Sequence, residues 1–203
     1  MNDFLLGVIV AGLPLLIIEG LSRWRQLAPE ISRKLTHVLS ALAVVSLTLF
    51  CSLMQIALIA GLFFVLLAAL RPKHLWVSLY RVKRRTWGEL TFPLGVCVAA
   101  FFAHDSRVFI CVILIIGLAD TAANLIGQRY GTRKLPVFNT KSYAGSAAFI
   151  TISLVIITLC FNNLSAYLVG VALIATIAEL VAANGYDNFS VALLTTLAFR
   201  VLS

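Results

Sequence analysis

The chain has 203 residues, 61% of them hydrophobic and 12% charged, with a mean hydropathy of +1.01. Soluble domains carry about 45–50% apolar and about 25% charged residues, so this composition excludes a soluble globular domain and equally excludes disorder. The net charge of +8, from 16 Lys and Arg against 8 Asp and Glu, reads as membrane orientation rather than as a nucleic-acid footprint.

One bilayer crossing takes roughly 20 apolar residues, so the chain has room for about eight. Apolar runs fall at 4–21, 35–51, 53–70, 90–104, 107–126, 143–161, 164–182 and 190–202. The expected fold is all-α: a polytopic transmembrane bundle of about eight spans, or seven if the short last run does not cross, forming a single integral-membrane domain over 1–203. The first run follows Met-Asn-Asp without the positive flank of a signal peptide, and is expected to be retained. Cys51, Cys97, Cys111 and Cys160 lie in apolar runs without CxxC spacing and read as buried packing residues.

Under this model the loops after the first, third and fifth spans hold 14 of the 16 basic residues, leaving only Arg107 and Arg200 on the other side. By the positive-inside rule those loops face the cytoplasm and both termini lie outside. Between the third and fourth spans, Leu75, Trp76, Leu79 and Tyr80 share one helical face, which suits either a short helix in the headgroup layer or a basic loop with an aromatic anchor.

Intramembrane charge is costly and usually functional. Six of the eight acids, Glu19, Glu30, Glu89, Asp120, Glu179 and Asp187, sit near the same face as the basic loops. At the start of the second span Arg33, Lys34 and His37 stand together, suited either to a structural helix end or to a phosphate. In the fifth span Gly117, Asp120, Asn124, Gly127 and Gly131 recur at helical spacing on one stripe. Glycines alone would suit a packing seam; the carboxylate and amide among them suit a hydrated metal ion with phosphate oxygens. The following loop adds Arg129, Arg133, Lys134 and Lys141 for a polyphosphate, with Ser142, Gly145 and Ser146 at the start of the next helix. A positive-inside loop of turn residues is the plainer alternative. Near the end of the seventh span Glu179 precedes Asn184-Gly185-Tyr186-Asp187-Asn188, where Gly185 is expected to break the helix between two carboxylates.

Together these segments resemble the CTP-dependent lipid-alcohol kinases, the family of phytol kinase, dolichol kinase and related diacylglycerol kinases. The resemblance runs from Arg33 to Leu194. It is carried by Arg33-Lys34-Leu35-Thr36-His37, Gly88-Glu89-Leu90-Thr91-Phe92-Pro93, Gly117-Leu118-Ala119-Asp120, Ile126-Gly127-Gln128-Arg129-Tyr130-Gly131, Lys134-Leu135-Pro136, Lys141-Ser142-Tyr143-Ala144-Gly145-Ser146, Glu179 and Asp187-Asn188. The chain departs from many relatives at Ile113 to Ile116, which is wholly apolar where they carry a Gly-Asp pair. The resemblance implies transfer of the γ-phosphoryl group of CTP to the hydroxyl of a membrane lipid alcohol. It implies Mg²⁺ on Asp120 with Glu179 or Asp187, and triphosphate binding by Arg129, Arg133, Lys134 and Lys141. Asn124, Ser142, Ser146 and Asn188 would orient the nucleotide, and Asp187, Asp120 or His37 would accept the alcohol proton. Phosphatidate cytidylyltransferase-like chemistry and a non-enzymatic transporter or scaffold are the competing readings.

Overall fold

The structure, a computed structural model, describes residues 2–71, 87–136 and 141–202; the amphipathic segment around Trp76 lies outside the described residues. Eight helices fill the described residues, one for each apolar run. They are α1 (Asp3–Arg25), α2 (Pro29–Leu47), α3 (Leu53–Leu70), α4 (Gly88–Phe102), α5 (Ser106–Tyr130), α6 (Tyr143–Phe161), α7 (Ala166–Val181) and α8 (Asp187–Leu202). Four of them, α1, α3, α5 and α6, are long and apolar enough to cross a membrane, while α4 and α7 are apolar but shorter. Between the helices, polar residues make the stops. The Ser52 side chain and Gln55 form a reciprocal cap on α3, Asp105 accepts from Val108 N–H at 2.7 Å, and Ser142 accepts from Gly145 N–H at 3.2 Å.

The second helix begins earlier than the apolar run. Pro29 occupies its first turn, where a missing N–H costs nothing, so Arg33, Lys34 and His37 lie one to two turns inside α2 rather than at its start. Their helical spacing, with Thr36 and Ser40, makes a polar stripe along a helix whose far half is apolar.

Helix α5 is the hub. Phe109, Cys111, Val112, Ile113 and Ile115 are fully buried, as expected for a helix that is apolar on all sides. α2 and α6 pack against it, and the bundle closes through α1 on α2, α3 on α4, α4 on α8, and α6 on α7 on α8. Gly117 permits the close crossing of α2, since a Cβ there would collide with that of Ala41. Outward faces are studded with large apolar side chains such as Leu16, Leu58, Val65, Leu159 and Val181, all more than half exposed. That surface suits lipid and not water. All four cysteines are free; Cys111 and Cys51 are buried.

Candidate active site

Just before Asp120 the α5 backbone widens into a π turn over Ile115–Ala119, so that Asp120 N–H reaches back to the Ile115 carbonyl. Single π turns of this kind often occur at functional sites. Here the turn presents the Ile116 carbonyl to His37, whose Nε2 lies 3.1 Å from it. A carbonyl only accepts, so Nε2 carries the proton and a neutral ring keeps its basic nitrogen at Nδ1. Phe92 of α4 meets the same ring edge-on, with centroids 4.9 Å apart.

A cavity of about 230 Å³ opens beside this junction. Its polar end is walled by Arg33, Lys34 and His37 of α2, Asp120 and Asn124 of α5, Lys141, and Asp187 and Asn188 of α8. Three helices and one loop thus deliver to one place charged and polar residues from four separate segments of the sequence. Lys141 pairs with the Glu179 carboxylate of α7 and lies 3.9 Å from Asp187 Oδ2. Asp120 is within electrostatic reach of Asp187, Lys141, Glu179 and Arg33. Glu30 holds Arg33 at 3.2 Å. Of the seven buried side-chain polar atoms without a hydrogen-bond partner among the described residues, three belong to this charged cluster: Arg33 Nε, Glu179 Oε2 and Asn188 Oδ1. Such atoms are rare in folded proteins, and three around one cavity mark a place for a polar ligand or water.

The glycine-rich stretch has a different role in the structure. A Cβ on Gly131 would collide with Ser142, one on Gly127 would sit 3.0 Å from Ser142 Oγ, and one on Gly145 would lie 2.9 Å from the Ala123 carbonyl. Gly127, Gly131, Gly145 and Ser142 therefore make the close crossing of α5 on α6, and none of them lines the cavity. Ser146 donates back to the Ser142 carbonyl at 3.2 Å. Arg129, Arg133 and Lys134 stand exposed at the end of α5 and in the loop after it. That loop is pinned by a two-stranded bridge of Lys134 with Ser142, with Leu135 N–H on the Lys141 carbonyl at 3.0 Å. The pin returns Lys141 to the cavity, whereas Arg129, Arg133 and Lys134 do not line it.

Three features went unread in the sequence. Ser40 and Thr121 also line the polar half of the cavity; Ser40 was legible as the next member of the Arg33–Thr36–His37 stripe. The other is a clasp between α4 and the α7–α8 break. Trp87 N–H donates to the Asn184 carbonyl at 2.9 Å, Thr91 Oγ1 to the Gly185 carbonyl, and Asn188 Nδ2 to the Gly88 carbonyl at 3.3 Å. The expected break is present, with Gly185 at φ +88° and no room for a Cβ, which would lie 2.6 Å from Gly88 N. Gly185→Ala is expected to cost roughly 1–3 kcal/mol, read as a lower melting temperature in detergent. Activity falls with it because Asp187 follows two residues later. An unchanged melting temperature would show that the clasp does not support the site.

Among the described residues no three His, Cys, Asp or Glu side chains form a closed metal cage. Mg²⁺ does not require one, since it keeps several waters and takes further ligands from phosphate oxygens. Asp120 and Asp187 both line the cavity and offer hard oxygens of that open kind, while the Asn124 amide oxygen already accepts from Gln128 Nε2 at 2.5 Å. Glu179, the third carboxylate expected there, is engaged by Lys141.

No family model matches the chain, and no solved structure matches it. Curated relatives do. The phytol kinase of Synechocystis sp. (strain ATCC 27184 / PCC 6803 / Kazusa) is 30% identical over 186 residues, covering 88% of this chain and 78% of that protein. The probable phytol kinase 1, chloroplastic, of Oryza sativa subsp. japonica is 28% identical over 213 aligned positions, 91% of this chain and 68% of that protein. With that identity sustained across most of both chains, the protein belongs to the phytol kinase-like family of lipid-alcohol kinases.

Proposed function

We propose that the chain is a membrane kinase that transfers the γ-phosphoryl group of CTP to the hydroxyl of a membrane lipid alcohol, of the phytol, prenol or dolichol kind or diacylglycerol. The observation that carries this reading is the amphipathic cavity, with charged groups of both signs at one end and apolar walls below them. The charged end faces the cytoplasm by the positive-inside rule, which puts it where nucleotide is available.

Phosphoryl transfer demands mainly positioning and charge stabilisation. Arg33, Lys34 and Lys141 line the cavity and offset phosphate charge there. Arg129, Arg133 and Lys134 bind the outer part of the triphosphate from the adjoining loop. Asn124 and Asn188 orient it, the latter with a carbonyl oxygen that lacks a protein partner. Asp120 and Asp187 would hold Mg²⁺, which would neutralise charge on the phosphate oxygens. The alcohol oxygen bonds to the γ-phosphorus as the bond to the β-phosphate oxygen breaks and CDP leaves. The hydroxyl proton passes to Asp187, Asp120 or His37 Nδ1.

The test is CTP labelled at the α or the γ position, offered with a panel of lipid alcohols and phosphatidate. Mg²⁺-dependent γ label in the lipid is the expected result. Lipid carrying the α label and cytidine would instead establish cytidylyl transfer. No labelled lipid and no Mg²⁺-dependent nucleotide binding would leave a protein that is not an enzyme of this class.

A further inference from the structure

Below the charged end, the cavity continues along apolar walls from α1, α2, α3 and α4, and then stops. Leu47 and Ile56, at its deep end, are 0% exposed. Helix α2 advances about 1.5 Å per residue, so the open part between His37 and Val44 is about 10 Å deep. The floor is fixed from α1: a Cβ on Gly7 would lie 2.6 Å from Ile59 Cδ1 and 3.0 Å from Cys51 Sγ. A volume of about 230 Å³ falls below the roughly 300–1,000 Å³ of pockets that enclose a drug-sized ligand. A long lipid tail does not fit inside.

The thinnest wall lies between α1 and α3. These helices pack far less than α1 on α2 or α3 on α4. They approach at Gly7, and again at Gly12, where a Cβ would sit 3.4 Å from the Phe63 ring. Phe63 and Leu15 both line the cavity, and their neighbours Leu62 and Leu16 are exposed on the lipid-facing surface. On both helices, adjacent residues therefore face the cavity and the outer apolar surface.

We infer that the cavity admits only the hydroxyl end and first units of the lipid alcohol, and that the tail leaves sideways between α1 and α3, past Phe63 and Gly12, into the bilayer. The inference rests on the lipid-alcohol kinase reading. It makes the α1–α3 seam the entry path for substrate, and it makes the floor at Leu47 and Ile56 irrelevant to tail length.

Two measurements test it on the whole protein in vesicles. The first is photolabelling with a prenyl alcohol that carries a diazirine at its far end. Label on α1 and α3 around Leu16 and Leu62 is expected, whereas label at Leu47 or Ile56, or on another helix pair, overturns the inference. The second uses Gly12→Leu, which fills the seam outside the charged site. It is expected to lower kcat/KM for phytol by roughly tenfold or more while sparing geraniol, whose tail is short. Equal loss on both alcohols, or no loss on either, overturns the tail path while leaving the kinase reading intact. Absence of transfer to any alcohol by the unaltered protein defeats the kinase reading, and the tail path with it.

Discussion

Asp120→Asn is expected to cut γ-phosphoryl transfer by roughly 10²–10⁴-fold while the protein inserts normally and melts within a few degrees of the unaltered chain. The two halves of this result have separate causes. Among the described residues no hydrogen bond or ion pair holds the Asp120 carboxylate in place; Lys141 is committed to Glu179 and approaches Asp187. An amide of the same shape therefore breaks no structural contact, and it removes a charge from a site largely out of water. What it removes is the carboxylate of α5 that faces the cavity. A half-buried acid with no structural partner, at the end of a π turn in the most buried of the four long apolar helices, is difficult to account for except by a ligand. A rate equal to the unaltered protein in Asp120→Asn, measured with γ-labelled CTP, would remove Asp120 from the site.

How much of this was visible in the sequence depends on the range of the interaction. The eight helices coincide with eight apolar runs because crossing length and hydropathy are local properties. The start of α2 was missed since hydropathy counts Glu30, Arg33 and Lys34 as loop, although Pro29 and the Arg33–Thr36–His37–Ser40 stripe carried the helical signal. The glycine stripe of α5 showed one face but not the neighbour that the face would meet. Gly117 met Ala41, and Gly127 and Gly131 met Ser142, so packing accounts for these glycines, while Asp120 and Asn124 face the cavity. Gly185 was legible as a break from its type and its polar neighbours. Its clasp to Gly88 and Thr91 was not, for it joins residues nearly 100 positions apart. The π turn at Ile115–Ala119 has no composition of its own, and it followed an apolar stretch that otherwise reads as plain span.

Lys141 carries the second large expectation, because it serves both the fold and the chemistry. Its ammonium is paired with Glu179, whose side chain is 5% exposed and whose Oε2 has no other partner. Lys141→Met leaves that carboxylate buried beside Asp187 with no counter-charge. Breaking a buried pair from one side costs about 3–5 kcal/mol. Since Lys141 itself keeps 17% exposure, the lower end, about 3 kcal/mol, is expected, or roughly 6–12 °C in melting temperature. Adding Glu179→Gln should return most of that stability, because the double variant buries a neutral amide instead of a lone charge. It should not return activity. The cavity then lacks the cation 3.9 Å from Asp187, and less phosphate charge is offset there. Melting temperature and labelled-CTP turnover, measured on both variants, separate the two roles. Recovery of turnover along with stability in Lys141→Met/Glu179→Gln would show that Lys141 acts only by holding α6 to α7, and that the phosphate is bound by Arg33 and Lys34.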